Sequence, residues 1–452
     1  MNSSCKYYQL IPEKIVNELP VIAELLKHSI KGFSIDYLKE IISIVACHIR
    51  KDEGSTPLKM IYIKLLVPQG DKYLMGLIDL GIIERSGTFS KEKSICYKYN
   101  FAPAYYSKFL SYPLKNEKLI LRIEKAYSKI RKENAATLKG HSEQTKYLRL
   151  LTIDPDYSRF LEENYNTETD QYNIIKASAQ RIENRDIFYS IDTTSGRFHS
   201  NITNMSKDLR PYLRIKGEPL VNLDVKNSQL YLSTIILTNP GKVSWMTENP
   251  AFALLLQTLK ISLNQDVKEF VRISVLGEIY EYLMNEFSKE GLQLTRSETK
   301  RQVLRILFAR NRMPKDELNR KCRQIFIKSF PTVHKIFSKV RGHEKGDKFN
   351  NYKRFAILLQ RIESYLMLDV ILKRIYKELP DTIAITIHDS IMTGILTNNV
   401  EAVRKIMADE LTFFVGFRPQ IKIEGVKEEK REEIRERINS NQYPATTFVS
   451  IN

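Results

Sequence analysis

The chain has 452 residues, enough for two or three domains, and its 42% hydrophobic content can fill ordinary globular cores. Lysine and arginine number 71 against 53 acids, a formal charge of +18. That excess is spread along the sequence rather than held in a tail, and it favours a polyanionic partner, above all nucleic acid. No run of about 18 uncharged apolar residues occurs, which argues against a membrane span; Cys5, Cys47, Cys96 and Cys322 are too scattered for a zinc knuckle or a disulfide framework.

In chain order, Met1 to Leu10 lacks the basic-then-apolar layout of a signal peptide, so a cytoplasmic protein with reduced thiols is expected. Ser34 to Arg50 carries Ile35, Leu38, Ile41, Ile42, Ile44 and Val45 at helical spacing. A second helix is predicted from Pro57 through Leu66, and a third from Asp71 to Leu80, stopped by Gly81. Ile82 to Arg85, a Ser86-Gly87 turn and Ser94 to Phe101 then read as a hairpin. Three helices followed by a hairpin resembles a winged helix, a module that binds DNA in many proteins and contacts other proteins in the rest. Residues 115–150 are charged and helical in pattern, with Ile120, Leu121, Ile123, Ala126, Tyr127 and Ile130 as an apolar stripe. That stretch reads as a solvated connecting helix or as an arm tracking a phosphate backbone.

The chemistry begins at Leu220-Val221-Asn222-Leu223-Asp224, a short apolar strand ending in a carboxylate, followed by an apolar helix from Val225 onward. A second strand, Thr382 to Ile387, leads through His388-Asp389-Ser390 into Ile391 to Gly394, a hairpin with an aspartate at its tip. An acid at the end of a buried strand is costly unless paired or metal-bound. Two carboxylates on neighbouring strands are the donor set for a pair of magnesium ions acting on a triphosphate. Between them, Thr295 to Phe308 is helical, and Arg296, Lys300 and Phe308 share a broad face because steps of four advance only about 40°. Two cations and an aromatic ring can clamp a triphosphate and stack on a base.

Five segments in order carry a resemblance to the palm and fingers of family A DNA polymerases and single-subunit phage-type RNA polymerases. DVKNSQLYL from Asp224 resembles motif A, RSETKRQVLRILF from Arg296 resembles motif B, and IHDS at 387–390 resembles motif C. Thr194 to Ser200 resembles the segment preceding motif A, and Leu359 to Ser364 resembles the glutamine-bearing helix before motif C. The resemblance covers 190–425. It implies an α+β right-hand core at 190–452, with a helical connecting, thumb-like region at 113–189 and the winged-helix-like module at 1–112.

The same resemblance implies roles. Asp224 and Asp389 ligate two magnesium ions, with manganese as a substitute, and the Val225 carbonyl is a further ligand. Arg296 and Lys300 hold the incoming triphosphate, and Lys300 counts with the aspartates as catalytic. Phe308 packs on the base and sugar, while Arg197, Gln360 and His388 touch the minor-groove side of the terminal base pairs, where acceptors are common to every pair. Ser390 is the choice of the RNA polymerases. Tyr231 stands where the DNA polymerases have the glutamate that excludes a ribose 2′-hydroxyl, and Phe308 stands where the RNA polymerases have a tyrosine. The expected enzyme is a compact DNA polymerase of a phage, plasmid or other mobile element, acting on DNA and nucleoside triphosphates, without proofreading. The alternatives are an RNA polymerase or primase with the same site, with RNA as a further partner, and a non-catalytic replication initiator.

Overall fold

The computed structural model describes residues 7–49, 56–90, 96–138, 140–342, 351–395 and 399–425; Cys5 and the start of the strand expected from Ser94 lie outside them. Helices and strands are mixed, as an α+β chain requires. The chain divides into two compact units, one of residues 1–190 and 199–219, the other of residues 191–198 and 220–452.

In the first unit the helices Ile35–Cys47, Met60–Leu66 and Gly70–Asp79 precede an antiparallel pair, Ile83–Ser86 with Lys98–Phe101. Leu38, Ile41, Ile42 and Val45 are buried, as their spacing predicts. Gly81 ends the third helix at φ 69, in the left-handed region that a Cβ disfavours. The helix expected from Pro57 begins only at Met60. Thr56 and Pro57 instead pair with Tyr99 and Lys98, and the Thr56 hydroxyl donates to the Val45 carbonyl at 2.8 Å. Proline holds the residue before it extended, so Thr56 joins a strand more readily than a helix.

The charged stretch 115–150 forms two helices, Glu117–Thr137 and Ser142–Arg149, on either side of Gly140 at φ 98. Leu119, Ile123 and Ala126 from the first of them enter the same core as Leu38 and Ile41. The strand Tyr8–Pro12 pairs with Phe109–Pro113, so the expected boundary at 112/113 falls at the end of a ladder. Asn173 accepts from the Phe109 amide at 2.9 Å and Asn184 from the Tyr8 amide at 2.8 Å, which ties the helix Asp170–Glu183 to both strands.

The second unit is built on an antiparallel sheet. Ser390–Gly394 lies between Ala384–Ile387 and the strand Glu218–Val225, whose far side pairs with Ile421–Glu424. The helix Ser228–Thr238 leaves the end of that strand and buries Leu230 to Leu237 without a polar face, so it is the central helix of the unit. Helices Gln265–Leu276, Pro331–Arg341, Arg354–Ser364 and Val400–Val415 contribute to the same core. Each fully buried Leu, Ile or Phe there contributes roughly 1.5–3 kcal/mol.

Candidate active site

Leu220, Val221 and Leu223 are buried, and Asp224 follows them on the strand, half-exposed. Its register partner across the ladder is Ser390, and the Val225 amide donates to the Asp389 carbonyl at 3.4 Å. The two aspartates that are 165 positions apart in sequence therefore meet at the ends of adjacent strands. His388 and Asp389 form the two-residue turn between the paired residues Ile387 and Ser390, with His388 at φ 53. A non-glycine residue at such a φ is uncommon, histidine being among the side chains that adopt it most readily.

The strand-to-helix turn is equally constrained. Asn227 sits at φ 52, the Lys226 amide donates to the Gln420 carbonyl at 2.9 Å, and the Ser228 hydroxyl donates to Asp389 Oδ2. Gly277, at φ 76, lets the following helix approach to where an added Cβ would lie 3.0 Å from the Lys226 side chain. Carboxylate, hydroxyl and backbone carbonyl oxygens are hard donors, which suit magnesium. Among the described residues no group of three or more His, Cys, Asp or Glu forms a closed metal cage. A magnesium ion that keeps waters and borrows phosphate oxygens needs only one or two carboxylates, so this donor set fits it.

A third acid lies behind the pair. Glu363 is 2% exposed; it accepts from Arg197 Nη2 at 2.6 Å and from the Gln229 side-chain amide. Burial pushes its carboxyl up to about 7, the nearby Asp389 adds to that, and Arg197 and Gln229 pull the other way. Ser228, Tyr231, Glu363 and Asp389 share the lining of a cavity of about 10 Å³, room for about one water. Arg197 is thus committed to Glu363 rather than free. Thr194 and Gly196 next to it pack on the same helix: Arg361 donates to the Thr194 carbonyl at 2.8 Å, and Gly196 faces Ser364. Gln360 is half-buried on that helix, and its carbonyl accepts from Ser364 at 2.8 Å.

The helix Arg296–Phe308 opens with a reciprocal cap. The Glu298 amide donates to Thr295 Oγ1 at 3.3 Å, and the Thr295 amide donates to Glu298 at 2.9 Å. Its other end is held by Arg341, which is 1% exposed and donates to the Ile306 and Leu307 carbonyls. A cation there answers the unpaired carbonyls of the last turn. Arg296 is exposed, donates to Glu281 at 2.6 Å and lies 5.6 Å from the Tyr280 ring centroid. Lys300 is exposed and Phe308 half-buried.

Tyr280 is buried, and burial raises its hydroxyl above the ordinary tyrosine range, with Arg296 opposing and Asp389 reinforcing the shift. It therefore lies within the field of both the cation and the turn aspartate. Neither Tyr280 nor Glu363 was given a role by sequence reasoning. Glu363 carried a signal, an acid among the buried Leu359 and Ile362 of one helix; Tyr280 carried none.

Tyr231 stands differently from expectation. It is 1% exposed, and its hydroxyl donates to the Leu411 carbonyl at 3.1 Å and the Phe417 carbonyl at 2.7 Å. It also lines the small cavity beside Asp389.

No protein-family model matches this chain, and no curated protein matches it. Among solved structures it is similar to the POL domain of Pol1 from M. smegmatis in complex with DNA primer-template and dNTP, at 10% sequence identity and a TM-score of 0.30. The match covers 67% of this chain and 65% of that one, less than two thirds of the neighbour's length. Among the described residues no helix is long and apolar enough to cross a membrane.

Proposed function

We propose that the chain is a template-directed nucleotidyltransferase, with deoxynucleoside triphosphates as its favoured substrates. The observation that supports this best is the meeting of Asp224 and Asp389 at the ends of two adjacent strands, joined through Val225. Asp224, Asp389 and the Val225 carbonyl are the ligands we assign to two magnesium ions. When bound, such ions lower the pKa of a 3′-hydroxyl and neutralise the charge that develops in an in-line displacement. Arg296 and Lys300 bind the triphosphate, Arg296 exchanging Glu281 for phosphate oxygens, and Phe308 supports the base and sugar. Ser228 orients Asp389 through its hydrogen bond. Arg197 acts through Glu363, and Gln360 and His388 face the terminal base pairs. The module 1–112 is assigned as a winged-helix-like reader of duplex DNA, 113–189 as its helical connection, and the rest as palm and reduced fingers. This is the compact polymerase of a mobile element.

The test is incubation of the protein with primed, unprimed or absent template, each with dNTPs or NTPs, in magnesium, manganese or EDTA. Extension of a primed template with dNTPs that stops in EDTA is expected. Incorporation of NTPs alone transfers the reading to an RNA polymerase or primase, and no incorporation in any arm leaves a DNA-binding initiator.

A further inference from the structure

The chain has one tryptophan, and it is on the surface of the second unit. Trp245 is 61% exposed in a short 3-10 segment, Pro240–Met246, and Phe413 is 81% exposed near the end of the helix Val400–Val415. Both are fixed. The indole meets the Tyr365 ring edge-to-face at 5.1 Å, and Tyr365 lies 6.1 Å from Phe414. Lys242, three positions before Trp245, lies 4.9 Å from the Phe414 ring centroid and 5.4 Å from that of Phe413. Its ammonium donates to the Phe413 and Phe414 carbonyls at 3.2 and 2.8 Å, which uses two of its three protons and leaves its charge at the surface.

The tryptophan segment is held from behind as well. Arg361 donates to the Met246 carbonyl at 3.0 Å and to Glu248 at 3.1 Å. Beside it, Thr247, Glu248, Asn249, Arg354 and Arg361 help to line a cavity of about 200 Å³, in which Arg361 pairs with Glu248 and Arg354 donates to the Val340 and Lys339 carbonyls. Two exposed aromatic rings, with Lys242 on the segment of one and beside the ring of the other, differ from an aliphatic patch. Exposed rings cost free energy that a partner recovers. Bases stack on such rings whatever their identity, and cations beside the rings answer the phosphates.

We infer that Trp245, Phe413 and Lys242 form a stacking platform for single-stranded nucleic acid. Such a platform needs neither metal nor triphosphate.

Because Trp245 is the sole tryptophan, its emission reports contact directly. The full chain, in EDTA and without nucleotides, is titrated with oligo(dT) and with a hairpin duplex of equal length. Strong quenching by the single strand, weakened by salt, and little by the duplex is expected. Anisotropy of a labelled oligo(dT) should show binding weakened about fivefold or more by Phe413→Ala, and also weakened by Lys242→Gln. Phe413 is almost wholly exposed, so its removal leaves the core untouched. Unchanged emission, equal quenching by the duplex, or unaltered affinity in both variants overturns the platform. So does an indole that resists acrylamide before any nucleic acid is added, since it would already be covered. Incorporation assays are not part of the readout, so failure here and failure of the nucleotidyltransferase reading are told apart.

Discussion

Arg197 and Glu363, 166 residues apart in sequence, form an ion pair of 2.6 Å in which the acid is almost wholly buried and the arginine is about one-fifth exposed. Burial raises the Glu363 carboxyl from 4.5 to about 7, with Asp389 adding to the shift. The folded chain therefore keeps this proton to higher pH than the unfolded chain. The associated stability is fully present below about pH 4.5 and is lost as pH rises through about 7. Arg197→Gln removes the cation that tempers the loss. It should cost little at pH 5 and about 2–3 kcal/mol at pH 8.5, where an ionised buried acid has lost its partner. Glu363→Gln should flatten the slope. Urea midpoints across this pH range measure both, and parallel slopes in wild type and Glu363→Gln would remove burial of this acid as the cause.

Asp224→Ala and Asp389→Ala should each lower nucleotide incorporation at least about a thousandfold, since loss of an anionic ligand forfeits several kcal/mol of transition-state stabilisation. Both side chains are half-exposed, so thermal unfolding should change little. Single-nucleotide addition with a primed template checks the first statement and a melting curve the second. Turnover at the wild-type rate in either variant would sink the two-metal assignment.

Much of this site was legible because it is written in local patterns. An apolar strand ending in Asp224 and a hairpin tipped by Asp389 are readable at the level of ten residues. That they lie on neighbouring strands was expected as well, but the register that brings them there, Asp224 with Ser390, depends on long-range pairing that no local signal fixes. The partners of Arg197 and Arg296 escaped for the same reason: Glu363 and Glu281 lie on other helices. Tyr231 carried two signals at once. Its place in a motif pointed to a sugar, and the mostly apolar run around it, Leu230 to Leu237, described a core helix. The pairing of Thr56 and Pro57 was hidden because a proline is equally at home at a helix start and on an edge strand.

A fragment ending at residue 112 should fail to fold on its own. It would keep the strand Tyr8–Pro12 but lose Asn184, which holds the Tyr8 amide, and Asn173, which holds that of Phe109. It would also lose Leu119, Ile123, Ala126 and Ala177 from its core. Circular dichroism should show a cooperative melt for 1–219 and none for 1–112, and a well-folded 1–112 would mean these contacts are dispensable. Salt-sensitive duplex binding is then best sought with the full chain.

His334 predicts a loss of stability in acid. Burial, and then the nearby Arg323 and Arg341, hold its imidazole down at about 4, and the ring faces the Arg323 guanidinium across 3.4 Å. The ring is thus an acceptor for arginine and must stay neutral. A depressed histidine contributes stability that is present above about 6.5 and lost as pH falls through about 4. His334→Gln keeps an acceptor but cannot take a proton, so its unfolding midpoint should fall less than that of wild type between pH 6.5 and 4. Equal losses would place the acid sensitivity elsewhere, for example at His48, which is also held at about 4.

We propose that the Tyr231 ring stands in for the DNA polymerases' glutamate, and that role can be separated from its part in stability. The hydroxyl donates to the Leu411 and Phe417 carbonyls, well inside the core. Tyr231→Phe removes that donor alone and should destabilise by about 1–2 kcal/mol, since buried carbonyls lose a partner. Tyr231 also lines the cavity shared with Asp389 and Glu363. On the proposed reading a ring excludes a 2′-hydroxyl only by bulk, so Tyr231→Phe should keep the preference for dNTPs over NTPs. Tyr231→Ala should relax it sharply, but at a cost of about 3–5 kcal/mol for the hole it leaves, so its assays belong well below its melting temperature. Single-nucleotide kinetics with matched dNTP and NTP pairs read the selectivity, and urea unfolding reads the stability. A phenylalanine variant that loses discrimination would make the hydroxyl the gate. An alanine variant that is folded and as selective as wild type would take Tyr231 out of sugar recognition and leave it as a core residue.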